Sequence, residues 1–469
     1  MQAHPTRITS YRPLLTPFLN SWCRRGGVSW DRPRSARAQA ATGRPMCLSC
    51  DMRILGLMSG TSFDAVDAAV VDFTGSDGNL VGRLLWSDTI PLDPQLRKRL
   101  AGVLPPAKVS LQEITALDSE IGQRFAGAAR TAQRESGGFD AVCSHGQTVY
   151  HWVDDGIAKG TLQIGNAAWI AEACGVPVVS NFRIRDITAG GQGAPLVPIL
   201  DRLLLAPKAP AARAALNLGG IANITVVSGP GAPTAEGSAA GAVDQAGAVD
   251  QDARETLVAY DIGPAGALAD AVVQDQNLTP QGYDKGGALA RSGTVDPELL
   301  AELLADPYYG MPAPKSTGKE YFTLDYVLGK AQGLVGQERW ADLIATLTEL
   351  TVLTVADAVR DSGATFLAVS GGGAHNPVTM GGLRRELPGV EVVTADSLGA
   401  PIDDKEAILC ALIGWCTLHG VAAGLPSATG ASGPRILGDI TPGNGPLVLP
   451  APVKSLRSLT LEDLRGLTE

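Results

Sequence analysis

No apolar run in this chain is long enough to cross a membrane; each is cut short by Gly, Pro or a charge. An excess of positive charge is missing too. The 469 residues hold 38 Lys and Arg against 48 Asp and Glu, a formal net charge of −10, which argues against a nucleic-acid scaffold. Histidine is scarce, with five in all, and the later cysteines have no metal-like spacing. Cys143, Cys174, Cys410 and Cys416 therefore read as reduced, buried thiols of a cytoplasmic protein. Two familiar nucleotide motifs are absent from the first glycine turn: no Gly-Lys-Ser/Thr follows it, and it is not GxGxxG. What is present is globular in composition, 45% hydrophobic and 18% charged. The chain is too long for one ordinary core, so two domains of roughly 150 to 200 residues are expected.

The first 51 residues stand apart, with eight Arg, two Asp, three of the seven Cys and no clear periodicity. An Arg-rich, acid-poor start has the composition of a transit peptide, without the continuous apolar core of a secretory signal. The expectation for residues 1–51 is nevertheless a disordered extension or a start codon placed too early, since Met52 opens directly onto a strand. From Arg53 the pattern is strand, glycine turn, strand, then a third apolar run, "RLLWSDTIPL". Helical periodicity covers about Leu111 to Glu135. "FDAVCSHGQTVYH" reads as strand then loop, and "TLQIGNAAWIAEACGVPVVSNFR" as strand, helix, strand. A Pro/Ala-rich stretch resets the pattern, and "ALNLGGIANITVVSG" repeats the opening theme. The spacing predicts an α/β first lobe over 52–206, a second over 207–445 with a disordered surface loop at 229–256, and a tail over 446–469. Helices are expected up to about Asp361, a strand in "ATFLAVSGGGAHNP", and a helix in "DDKEAILCALIGWCTLHG" with Asp403 or Asp404 as its N-cap.

The first turn holds Gly60, Thr61, Ser62, Phe63, Asp64, Ala65, Val66 and Asp67. Small residues expose backbone N–H groups and hydroxyls to an approaching polyphosphate. Asp64 and Asp67 are oxygen ligands of the kind Mg²⁺ takes. A tight hairpin with a solvated acidic edge explains the same residues, and this stretch alone leaves both readings open. Gly219 and Gly220 form a second turn, positioned to close on the same phosphates. Gly371, Gly372 and Gly373 form a third, where a base or ribose would meet bare backbone. Any one of these is an ordinary structural turn. Three on strand ends in two halves give the layout of the actin, hexokinase and Hsp70 group of ATPases, with two RNase H-like lobes facing a central cleft.

The motifs "GLMSGTSFDAVDAA", "SHGQT", "TLQIGN", "GGQGAPLVP", "LNLGGIANI", "DIGPAGALAD", "PKSTGKEYF", "SGGGAHN" and "TGASGPRILG" occur in one order over about Arg53 to Thr441. In that order and spacing the chain resembles the anhydro-N-acetylmuramic acid kinases. The resemblance implies an ATP-dependent enzyme that uses water to open the 1,6-anhydro ring while phosphorylating O6. The product would be N-acetylmuramic acid 6-phosphate, in bacterial cell-wall recycling. It further implies Mg²⁺ as cofactor, a small sugar as the partner rather than nucleic acid or membrane, and a homodimer. The family's catalytic aspartate falls on Asp261, as the base that deprotonates water; capping the following helix, from near Ala265, is the bland alternative. His145, Arg183 and Glu406 are candidate sugar contacts, Arg183 or Arg185 through a bidentate grip on a carboxylate. Lys315 is expected to fix a loop. The sequence departs from the family pattern at Asn181, where an acid is usual, at Ala65, where Gly is usual, and at Ala265 and Gly266 in "GPAG". A catalytically weak regulatory relative and an Hsp70-like ATPase are the rival readings. The Hsp70-like reading is disfavoured because no peptide-binding domain follows Thr441.

Overall fold

The computed structural model describes residues 51–60, 63–206, 211–229, 256–313, 315–318, 321–335 and 337–465. Apart from their end residues, the expected extension over 1–51 and the expected loop over 229–256 lie outside these. No helix among the described residues is long and apolar enough to cross a membrane.

The strands run β1 Met52–Ser59, β2 Ala65–Ser76, β3 Asn79–Pro91, β4 Ala141–Asp154, β5 Ile157–Ile164, β6 Val178–Ser180, β7 Arg213–Leu218, β8 Ile221–Ser228, β9 Thr256–Pro264, β10 Phe366–Ser370, β11 Glu391–Thr394, β12 Asp439–Thr441 and β13 Ser458–Asp463. They form two sheets. The first has the order β12-β6-β4-β1-β2-β3-β13, with β5 on β4, and the second β11-β10-β7-β8-β9. In each, an antiparallel three-strand meander is followed by two parallel strands on the far side of its first strand. The runs β6-β4-β1-β2-β3 and β11-β10-β7-β8-β9 therefore share one topology. It is the two-sheet, RNase H-like α/β arrangement expected from the repeated strand-turn-strand openings.

Six helices bear on the site: α1 Leu111–Glu135, α2 Val197–Leu205, α3 Ala267–Asp275, α4 Trp340–Ser362, α5 Pro377–Glu386 and α6 Lys405–Leu418. α1 begins where Ser110 caps the Glu113 N–H and buries Leu117, Ile121 and Phe125 at helical spacing. These pack with Leu55, Leu57 and Val70 on one face of the first sheet. The other face, Ile54, Val71, Phe73 and Leu84, receives Ile408, Leu412 and Trp415 of α6. A sheet buried on both faces needs a nearly continuous apolar strand, which is what "RILGLM" supplies. Gly56 permits the close approach of α6, because a Cβ there would overlap the Ala407 carbonyl.

Three local expectations change. β4 does not end in a loop at "SHGQT" but continues to Asp154, paired with β5. A register shift at His145–Gly146, with Gly146 at φ +69°, lets the strand pass and sets Gln147 opposite Ser59. The cap of α3 is Gly266, which removes the bland alternative of a capping role for Asp261. Cys143, Cys410 and Cys416 are buried free thiols, but Cys174 is only partly buried.

Candidate active site

The first turn leaves β1 at Ser59 and enters β2 at Ala65. The Gly60 carbonyl accepts from the Phe63 N–H (3.2 Å) and from Gln147 Nε2 (3.1 Å), while Ser59 Oγ meets Gln147 Oε1 at 2.7 Å. Gln147 thus braces the turn from β4; it lies inside "SHGQT", where only the histidine drew attention. Among the described residues of the turn, the strained position is Phe63, at φ +42°. Ala65 is an ordinary strand residue opposite Pro91, so a methyl there costs the backbone nothing. Thr61 and Ser62 lie outside the described residues.

Asp67 faces Thr89, whose hydroxyl donates to Oδ1 at 2.9 Å. Burial pushes the Asp67 carboxyl above its usual range; the Thr89 bond opposes this, and the charges of Asp64, Asp404 and Asp403 add to it. Asp64 and Asp67 are hard oxygen donors of the kind Mg²⁺ takes. Among the described residues no group of three or more potential ligands could hold a metal unaided.

Glu406 sits in the first turn of α6, brought beside Asp67 by the passage of α6 over Gly56. Burial raises its pKa, opposed by the charge of Arg183, with Asp67 pushing it further up. The Arg183 guanidinium donates from Nε to His145 Nε2 (2.8 Å) and from Nη1 to the Gly193 carbonyl (2.8 Å). His145 Nδ1 meets the Gly146 carbonyl at 2.9 Å, so the proton sits on Nδ1 and both ring nitrogens are engaged. Buried, the imidazole is pushed down to about 3, first by desolvation and then by the Arg183 charge. His145 therefore stands behind Arg183 as its neutral acceptor. Gly193 is fixed in turn by buried Asp186, whose Oδ2 accepts its N–H at 2.8 Å and whose Oδ1 accepts from Thr429 (2.7 Å). Asn181 occupies φ +53°, which Asn tolerates, and its Nδ2 donates to Asp439 (2.8 Å). A second acid in that place would face Asp439, so the amide suits this chain.

In the second sheet, the pairing of β8 with β9 shifts between Ala222 and Asn223, leaving Ile262 extra beside Asp261. Bulges of this kind re-aim a side chain. Asp261 Oδ2 accepts from Ser316 Oγ (2.8 Å) and from the Thr317 N–H (3.1 Å). Its main chain is pinned as well: the N–H donates to the Lys315 carbonyl (3.0 Å), and the Tyr308 hydroxyl donates to its carbonyl (2.7 Å). Lys315 Nζ donates to the Tyr308 and Tyr309 carbonyls, both at 3.0 Å, so this lysine ties down the loop that grips Asp261.

Next to this strand lies a cavity of about 760 Å³, within the range of nucleotide-sized sites. Gly219, Gly372 and Gly373 line it; Gly220, Gly371 and the described residues of the first turn, Gly60 and Phe63 to Asp67, do not. The Gly220 carbonyl accepts the Ala265 and Ala267 N–H groups, and the Gly219 carbonyl that of Gly266, locking the second turn onto α3. Gly371, at φ +79°, has no room for a Cβ against Asn217 and Leu218. Asp270, Tyr283, Lys285, His375, Asn376 and Asp403 also line the cavity and were not anticipated as binding residues. Asp270, His375 and Asn376 belong to motifs already marked, whereas Tyr283 and Lys285 carry no sequence signal. His375 Nε2 meets Asp403 Oδ1 at 3.1 Å, so the approach to α6 forms one wall.

The sequence matches the family described as Anhydro-N-acetylmuramic acid kinase over residues 52–244 and 249–443. It is 50% identical over 403 residues to the anhydro-N-acetylmuramic acid kinase of Streptomyces coelicolor, covering 86% of this chain and 96% of that one. Against the kinase of the same name from Rhodococcus erythropolis it is 46% identical over 395 residues, covering 84% and 95%. Among solved structures, a ROK family glucokinase from Streptomyces griseus in complex with glucose and AMPPNP aligns at 13% identity and a TM-score of 0.33, over 76% of this chain and 97% of that one. With a family match that reaches into both sheets and half-identity along nearly the whole of a relative, the chain belongs to the anhydro-N-acetylmuramic acid kinase family.

Proposed function

We propose that the protein uses ATP and water to convert anhydro-N-acetylmuramic acid to N-acetylmuramic acid 6-phosphate, with Asp261 as general base. The observation that carries the assignment is the grip on Asp261. A half-buried carboxylate is held by two donors on a loop that is itself anchored by Lys315, next to a nucleotide-sized cavity. In this reading, Asp261 takes the proton of a water whose oxygen bonds to the anomeric carbon. The C1–O6 bond breaks, and O6 takes the γ-phosphoryl group of ATP. Arg183, oriented by His145 and Gly193, presents its remaining guanidinium edge to the lactyl carboxylate of the sugar. Glu406, beside Arg183, accepts a sugar hydroxyl.

The cavity between the Gly219 and Gly372–Gly373 turns takes the nucleoside, and the Gly60–Asp67 turn approaches the phosphates. Asp64 and Asp67 would hold Mg²⁺, which neutralises phosphate charge during transfer. Gly266 in place of Asn weakens the α3 cap by only a few tenths of a kcal/mol, so the "GPAG" variation is compatible with activity. A cytoplasmic homodimer completes the proposal, with the expected lobe bounds of 52–206 and 207–445 revised: α6, β12 and β13, from the stretch expected as second lobe and tail, return to the first sheet. Sedimentation at twice the chain mass would support the dimer, and sedimentation as a monomer would remove it.

The assay is direct. Purified protein with ATP, Mg²⁺ and anhydro-N-acetylmuramic acid is expected to give ADP and a ring-opened sugar phosphorylated at O6, identified by mass and NMR. An unaltered sugar, or a phosphorylated sugar with its anhydro ring intact, would overturn the proposal.

A further inference from the structure

Lys405 is a buried lysine outside the site residues described above. It opens α6 immediately before Glu406. Its Nζ stands 2.6 Å from Asp201 Oδ1 on α2, with side-chain exposures of 7% and 5%, and donates to Ser370 Oγ at 3.1 Å. Asp201 Oδ2 also accepts from Thr225 Oγ1 on β8 (3.1 Å), and Ser370 Oγ donates to the Leu216 carbonyl on β7 (3.1 Å). Ser370 ends β10 and runs directly into Gly371–Gly373, the turn that borders the cavity.

One ammonium thus joins the helix that carries the sugar-side carboxylate to the strand end that carries the nucleotide-side turn. Neither end has slack. Gly371 is packed against Asn217 and Leu218, and α6 is pressed onto Gly56. α2, which supplies Asp201, packs on β7 and β8 of the second sheet and on β13 and α6. A buried ion pair is a poor device for stability, because desolvation offsets most of the Coulombic gain. Its place between the two halves of the site suits the transmission of position.

We propose that Lys405 is a positioning residue that couples the nucleotide cavity to the sugar site. A nucleotide that seats Gly371–Gly373 fixes Ser370, Ser370 fixes Lys405, and Lys405 sets Glu406 for the sugar. The proposal rests on the two subsites named above and adds a thermodynamic link between them.

Titration calorimetry of the full chain tests it, reading the Kd of anhydro-N-acetylmuramic acid with and without a non-hydrolysable ATP analogue and Mg²⁺. Wild type is expected to bind the sugar about 5- to 100-fold tighter with the analogue present, the usual span of site–site coupling. Ser370→Ala removes the link to the turn and leaves the Lys405–Asp201 pair. It is expected to bring the ratio to within about twofold of one, with the Kd of each ligand alone within about threefold of wild type. The pair variant Lys405→Met with Asp201→Leu leaves no lone buried charge, so it is expected to fold and to lose the coupling as well. A wild-type ratio of one, or a folded Ser370→Ala protein with wild-type coupling, overturns the proposal. A wild type that fails to bind one of the ligands alone contradicts the site reading instead, and the coupling falls with it.

Discussion

At the scale of the residue, Arg183 shows how the site turns a flexible cation into a fixed one. Its fork is used on two sides, by a neutral histidine and a backbone carbonyl, and the proposed function assigns its remaining edge to the sugar's carboxylate. Lysine has the charge but not the fork. Arg183→Lys is expected to raise the KM for the sugar roughly 10- to 100-fold, the worth of a charge-assisted hydrogen bond, with a smaller change in the KM for ATP. Steady-state kinetics with each substrate varied would show it, and equal effects on both KM values would contradict the role. The buried imidazole makes a second prediction. Folded His145 is pushed down to about 3, while the unfolded ring titrates near 6.5. Between those values the unfolded chain holds a proton that the folded chain does not, so this group's contribution to stability falls as pH drops below about 6.5. At pH 5 the loss is about 2 kcal/mol. Denaturant titrations at pH 7.5 and pH 5 are expected to show His145→Gln losing less stability than wild type; equal losses would mean the ring is protonated in the fold.

At the scale of the element, the site depends on α6 lying almost in contact with β1. Gly56 is the residue that allows it. Gly56→Ala is expected to cost about 1–3 kcal/mol through overpacking and, by lifting α6, to move Glu406 and reduce kcat. Calorimetry and turnover measured together test this, and an unchanged melting temperature would show that the helix has room to spare. Much of this level was legible in the sequence. β1, β2 and α1 were readable because apolar periodicity and glycine turns are local signals, and α6 because its apolar run follows two acids. β4 was misread because "SHGQT" carries turn residues inside a strand, and only pairing with β5 and β1 keeps it extended. The cavity wall at Tyr283 and Lys285 was illegible for a related reason: those residues have no periodicity and acquire meaning only through packing against distant turns. The network of Asp261, Ser316 and Lys315 was half legible, as its motifs stand out but a grip across 55 residues of sequence separation does not.

At the scale of the molecule, two sheets of one topology each carry glycine turns, which the proposed function assigns to one reaction. Ligands that bridge such halves draw them together. Small-angle scattering is expected to give a smaller radius of gyration with nucleotide and sugar bound than with neither, and an unchanged radius would argue for a site already closed.

The most direct test of the account is Asp261→Asn, which keeps size and hydrogen-bonding capacity but removes the base. Ring opening and phosphorylation, measured in one assay, are expected to fall together by roughly 10²- to 10⁴-fold, with ATP affinity unchanged. Near-normal turnover at saturating ATP, with ATP affinity lost instead, would show that Asp261 serves the nucleotide and not the water.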